Sequence, residues 1–368
     1  MQRLTFRAMG CQMLAVLDDT SAQAARLLAQ VPGWFEGWEQ TLSRFRQDSE
    51  LSQLNRNAGR QTPVSAVLWE VVQAALHAAR QSQGLVVPTL LHALEAAGYD
   101  RSFEALGADL SRGTARRAPT PPPASPPPDT GDWRAIRCDS RTRCITLPAG
   151  MRLDLGGIAK GWAADQAVGR LSAYGPALVD AGGDIAISGP RADGQPWPIG
   201  VASPATWAAA PPPPERGRKG FSPEEPSSVV CRLSSDHQSL LGLLMLPRAG
   251  RPSSCGVATS GRDVRRWQRN GVWQHHILDP RSGQPAITDV ISATVVAPTA
   301  LEAEIAAKVA LILGSRDGLA WLEARPPLAG LLVLEDGRVI PSRRLDDVFL
   351  EESCDICRLE EAECHSQG

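Results

Sequence analysis

Short β-type runs and a few helical stretches follow one another along this 368-residue chain without regular strand–helix–strand alternation, and no internal repeat is visible. A doubly wound parallel sheet needs a crossover helix between successive strands. Its absence predicts an α+β fold, with mixed or antiparallel sheets flanked by helices. Hydrophobic residues make up 43% of the chain, enough for one large core.

Apolar residues recur at helical spacing over residues 21–46, interrupted at Pro32-Gly33. A second helix is expected after Thr62-Pro63, with Val64, Leu68, Val71, Val72 and Ala75 on one side. Residues 158–174 and 299–313 read as two more helices. Hairpins are expected over 133–147, over 177–188 around Gly182-Gly183, and over 330–340 around Asp336-Gly337. Residues 255–259, 273–278 and 291–297 read as short strands.

Proline-rich stretches near 115–130 and 208–228 read as solvated loops inserted into one domain spanning 1–350. The remaining tail, 351–368, holds Cys354, Cys357, Cys364 and His365, a set able to ligate zinc. Glu351, Glu352, Glu360, Glu361 and Glu363 surround it and favour a disordered acidic tail instead.

A net charge of −2 leaves no electrostatic footprint for nucleic acid or an anionic membrane. No run of about twenty apolar residues exists, so no membrane anchor is expected. The stretch from Met1 to Arg7 is polar and basic with no apolar run behind it. It does not read as a secretory leader, and a cytoplasmic protein with mostly reduced thiols is expected.

The chain has three lysines, Lys160, Lys219 and Lys308, and otherwise uses arginine for positive charge. Lysine offers a compact, point-like ammonium, so a chain that avoids it keeps one where that shape is needed. Lys219 sits in a Pro/Arg-rich insert. Lys160 closes Asp154-Leu155-Gly156-Gly157-Ile158-Ala159-Lys160-Gly161. Paired glycines ahead of a helix let backbone N–H groups approach a phosphate. A tight strand-to-helix turn with a surface lysine is the plain alternative. Lys308 lies four residues after Glu304 on an otherwise apolar helix, so the pair is expected to face a cleft. His275-His276 precedes Asp279-Pro280-Arg281-Ser282-Gly283, a turn sequence. On a strand the two rings point oppositely, one towards a ligand and one into the fold. Histidine suits general-base work on a hydroxyl.

Read in order, these segments resemble the FAD:protein FMN transferase (ApbE) family. The likeness runs from Ala8-Met9-Gly10 through Leu42–Asn55 and Val87-Pro88-Thr89 to the Asp154–Gly161 segment. It continues through Leu178–Ile185, Thr259-Ser260-Gly261 and His276–Pro280 to the helix after Ala297-Pro298-Thr299-Ala300. The resemblance implies a single ApbE-like, T-fold-like domain. It implies transfer of FMN from FAD to a Ser or Thr hydroxyl of an acceptor flavoprotein, through a phosphoester bond, with release of AMP. The implied acceptor motif is Asp-Gly/Ala-x-Ser/Thr-Gly/Ala-Ala-Thr, and magnesium normally bridges the pyrophosphate. By the same resemblance Met9, Phe45, Asp154, Lys160, Thr259, Ser260 and His275 would contact the cofactor. Gly157 and Glu304 would contact the metal, and His276 would activate the acceptor hydroxyl.

Three departures stand out. The family's closing helix carries Ala-Asp-x-x-x-Thr, whose Asp and Thr are metal ligands, and here Glu304 and Lys308 occupy those places. Glutamate can bind magnesium through oxygen. An ammonium has no lone pair, so Lys308 is expected to act as a fixed catalytic cation and to weaken the magnesium dependence. Val87 stands where an acidic residue precedes Pro-Thr, and relatives are mostly exported while no export signal is visible here. A FAD-binding module without transfer and a FAD pyrophosphatase using water are the other readings.

Overall fold

Eight strands lie side by side in one sheet in the order in which the chain makes them. They are β1 (Gln2–Ala8), β2 (Cys11–Leu17), β3 (Ala177–Ala181), β4 (Asp184–Ile187), β5 (Cys255–Gly261), β6 (Val290–Ala297), β7 (Ala329–Leu334) and β8 (Val339–Pro341). Every neighbouring pair is antiparallel, which is why no crossover rhythm shows in the sequence. The computed structural model describes residues 1–103, 105–106, 131–204, 231–232, 240–247, 254–269, 272–345 and 349–351. The two proline-rich inserts, Lys219 and the tail carrying Cys354, Cys357, Cys364 and His365 lie outside the described residues.

The helices fill the long excursions between strands. Between β2 and β3 come α1 (Ala22–Leu28), α2 (Val31–Leu42), α3 (Glu50–Arg56), α4 (Ala66–Gln81), α5 (Leu91–Ala96) and α6 (Ala159–Leu171). Between β6 and β7 lies α7 (Ala300–Glu323). Strand periodicity sorts the two faces of the sheet. Ala15, Leu17, Val179, Ala181 and Ala186 join the helices in the main core. Val16, Leu178, Ile185 and Ile187 point the other way and pack with Trp197, Ile199, Val201 and Leu244. Those last four belong to a second sheet built on Trp197–Ala202 and Leu240–Leu246.

Several expected elements form with shifted limits. The helical stretch over 21–46 divides at Ala29-Gln30, not at Pro32-Gly33. Pro32 sits in the first turn of α2, where its missing N–H would be unsatisfied anyway. The helix expected over 299–313 does stop there: Gly314, at φ 81° and ψ 177°, kinks the chain, and a second helical stretch of α7 continues to Glu323. The stretch over 133–147 opens with a 3₁₀ turn at Trp133–Ala135 before its hairpin, and Gln61–Pro63 adds a third strand. The β1–β2 hairpin turns at Met9 and Gly10, with φ of 49° and 67°. No helix among the described residues is long and apolar enough to cross a membrane.

Candidate active site

Sheet, α6 and α7 meet at the turn between β3 and β4. Gly182 in that turn has φ 69°, and a Cβ there would lie 2.6 Å from Cβ of Cys11, so a side chain is doubly excluded. The Asp180 carboxylate folds over the turn and accepts from the Gly183 N–H at 2.7 Å. Burial and the neighbouring Asp184 charge push Asp180 up to about 7, against the pull of that N–H bond.

Lys160 is the second residue of α6, a helix start with no side-chain cap from Ile158. Its ammonium pairs with Asp184 and lies 3.8 Å from Glu304 Oε1. The same oxygen takes Lys308 Nζ at 3.0 Å. Glu304 Oε2 accepts from the Gly161 N–H at 3.0 Å, so this α7 residue caps α6. In return Asp165 of α6 accepts from Ala300 N–H and Leu301 N–H at 2.9 and 3.0 Å and caps α7. Asp184, Lys160, Glu304 and Lys308 thus alternate in sign along one line, with Glu304 only 1% exposed. Burial alone would lower the Lys160 pKa, but Asp184 and Glu304 override it and raise it. Burial likewise works to raise Glu304, yet the Lys308 and Lys160 charges hold it lower. Asp184 is raised by burial and by the Glu304 charge.

His276 lies beside this line. Its Nδ1 is 3.4 Å from the Arg265 carbonyl, which can only accept, so Nδ1 carries the proton and Nε2 the lone pair. Burial and the positive charges of Arg265 and Lys308 lower its pKa well below the usual value, and the ring is neutral near pH 7. His275 is the last residue of a strand over Val272–His275 and turns inward, while His276 lies in the bend beyond it. His275 is 5% exposed, bonds the Ala286 carbonyl through Nε2 at 3.2 Å, and burial lowers it to about 4.

An aromatic wall adjoins the glycine turn. Arg44 Nε meets Asp154 Oδ2 at 2.5 Å, and its guanidinium lies 4.1 Å over the Phe45 ring and 4.8 Å from that of Tyr99. Tyr99 stacks on Trp267 at 5.4 Å. Asp154 also accepts from the Gly156 N–H at 2.9 Å, so it holds the turn as well as the wall. Phe45 stays 42% exposed.

Of the residues singled out from sequence, Lys160, Glu304 and Lys308 converge directly, and Gly157 borders them, a Cβ there lying 3.5 Å from Lys308 Cε. His276 feels the Lys308 charge. Thr259 and Ser260 follow Ala258, the register partner of Asp184. Ser260 is buried, and Thr259 Oγ1 bonds Thr294 Oγ1 at 2.8 Å. Met9 is further off in bonding terms, its N–H donating to Glu39 at 2.7 Å. Sequence reasoning passed over Asp180, Asp184, Arg265, Arg44, Tyr99 and Trp267 as site residues. The Gly-Gly turn between two aspartates was the one available signal.

A divalent cation does not fit in front of Glu304. One carboxylate oxygen is held by the Gly161 N–H, and the other faces two ammonium groups. Among the described residues no group of three or more His, Cys, Asp or Glu side chains could hold a metal ion.

An antiparallel main sheet, two helices that cap each other, a buried line of alternating charges and a neutral histidine make up this α+β site. Residues 9–332 match the ApbE family, and the chain belongs to it. It is similar to the FAD:protein FMN transferase of Treponema pallidum, 28% identical, covering 92% of this chain and 85% of that protein. The corresponding Vibrio cholerae protein is 25% identical over 86% of this chain and 82% of its own. The fold matches the crystal structure of the ApbE protein from Thermotoga maritima with TM-score 0.72 and 23% identity, over 95% of this chain and 99% of that one.

Proposed function

We propose that this chain transfers FMN from FAD to a serine or threonine hydroxyl of an acceptor flavoprotein. The observation that carries the reading is the α6 start, where Lys160 and Lys308 are fixed by Asp184 and Glu304 beside a neutral His276. The Lys160 and Lys308 ammonium groups suit the bridging phosphates of a dinucleotide, at a helix start where negative charge is favoured. Phe45 and the Arg44–Tyr99 wall offer an exposed ring for stacking. The acceptor oxygen bonds the phosphorus of the FMN half, and the P–O bond to AMP breaks with its electron pair on AMP. The hydroxyl proton passes to Nε2 of His276. Catalysis of this type is mostly positioning and charge stabilisation, which a preformed charge line supplies. No step is assigned to a metal ion.

Incubation with FAD and an acceptor domain carrying the Asp-Gly/Ala-x-Ser/Thr-Gly/Ala-Ala-Thr motif, followed by mass measurement, tests this. An FMN-sized gain on the acceptor is expected. His276→Ala should cut the rate by roughly 10²–10⁴ while FAD still binds. Free FMN and AMP without a mass gain would instead mark a hydrolase, and binding without turnover a FAD module.

A further inference from the structure

We infer that Lys308 is a built-in counter-ion that occupies the place of a divalent cation before Glu304, so that removing it turns a metal-indifferent site into a metal-binding one. Where flavin is used as the readout, the inference rests on the function proposed above. The metal readout does not.

The charges balance only as they stand. Two carboxylates, Asp184 and Glu304, face two ammonium groups, Lys160 and Lys308. Glu304 Oε2 is taken by the Gly161 N–H, which leaves Oε1 as the one oxygen a cation could use. Lys308 covers it at 3.0 Å and also reaches the Glu304 carbonyl at 3.5 Å. An ammonium has three donors, so capacity remains for a phosphate oxygen. The Lys308 stem runs along Gly157, which keeps its head at the α6 start, where anions are favoured. A surface Glu–Lys pair four residues apart does little, but this carboxylate is 1% exposed and cannot be hydrated instead.

Lys308→Ala would leave Glu304 paired only with Lys160, an ammonium it shares with Asp184. A hard divalent ion bound through oxygen restores the balance in the space vacated. The parent already has it, and an incoming ion would have to displace an ammonium.

The test compares full-length parent and Lys308→Ala. Manganese alone serves as the probe, read by electron paramagnetic resonance, and melting is followed with magnesium or a chelator. The parent should bind no manganese and melt alike in both solutions. Lys308→Ala should bind one manganese ion and be stabilised by magnesium. Lys308→Ala with Glu304→Gln should lose the ion again. FAD affinity of the parent should change less than about twofold between magnesium and chelator. That of Lys308→Ala should fall about tenfold in chelator and recover with magnesium. Manganese bound by the parent, or a parent that needs magnesium to hold FAD, overturns the inference. So does a folded Lys308→Ala that ignores both ions. If the variant does not fold, parent indifference to both ions still supports the inference, and parent dependence still sinks it. A parent that binds no FAD in either solution would undo the flavin reading, while manganese would still decide the role of Lys308.

Discussion

Asp180 is a carboxyl that keeps its proton well above the usual carboxylate range, since burial and the Asp184 charge push it up to about 7. A folded pKa raised above the unfolded value of about 3.9 means that the native state binds more protons in between. Stability from this group is therefore full below about pH 4 and falls as pH rises towards 7. His275, lowered to about 4 by burial, acts in the opposite sense over part of the same range. The parent curve alone would blur the two. The difference between Asp180→Asn and parent isolates the carboxyl. In urea titrations the variant should gain on the parent as pH rises from 4 to 7, by about 2–4 kcal/mol at most. A difference that is flat across that range would contradict the assignment. At this scale Lys160 and Lys308 stood out because lysine is scarce here, and the fold brings the two together at Glu304. Asp184 and Arg265 were not, because each gains its meaning from a partner remote in sequence, Lys160 for one and Cys11 for the other. Arginine is also so common in this chain that one more carries no signal.

Helices α6 and α7 lock through reciprocal caps, Glu304 on the Gly161 N–H and Asp165 on Ala300 and Leu301. The close approach depends on Gly161, where a Cβ would lie 2.8 Å from the Ala300 carbonyl oxygen and 2.9 Å from Glu304 Oε2. Helix propensity alone would make Gly161→Ala stabilising by up to about 1 kcal/mol. The clash is with backbone, which cannot swing away, and overpacking costs about 1–3 kcal/mol. The clash wins, so Gly161→Ala should destabilise by about 1–2 kcal/mol and disturb Glu304. Gly169 on the same helix has nothing within 4 Å of a Cβ. Gly169→Ala should gain up to about 1 kcal/mol. Opposite signs in paired denaturant melts are the expected result, and equal signs would remove the packing explanation. The existence of both helices was plain from apolar spacing. Their mutual capping was not, because Asp165 drew no notice and Glu304 was read as facing a cleft with Lys308, until the partner helix start is beside each.

The whole molecule places its site where distant segments cross one sheet. Cys11 opens β2, Lys160 begins α6, Asp184 opens β4, Arg265 and His276 follow β5, and Glu304 and Lys308 lie on α7. The class of fold was readable because alternation was missing. Strand order was not, since six helices among the described residues separate β2 from β3 and β1 is half-exposed on alternate residues. A ligand that touches several such segments binds only when all are in place, so it should stabilise the chain as a unit. With FAD at a hundred times its dissociation constant the gain should be about 2.7 kcal/mol, seen as a rise in Tm. Lys160→Met removes the central cation and leaves Asp184 and Glu304 to repel each other. Breaking a buried pair in this way costs about 3–5 kcal/mol, so the variant should melt lower without ligand. Its own shift on adding FAD should vanish as well, because under the proposed function this is the cation that faces the phosphates. A variant that melts lower yet keeps the full FAD shift would show Lys160 to be a strut of the fold alone, with the dinucleotide bound elsewhere.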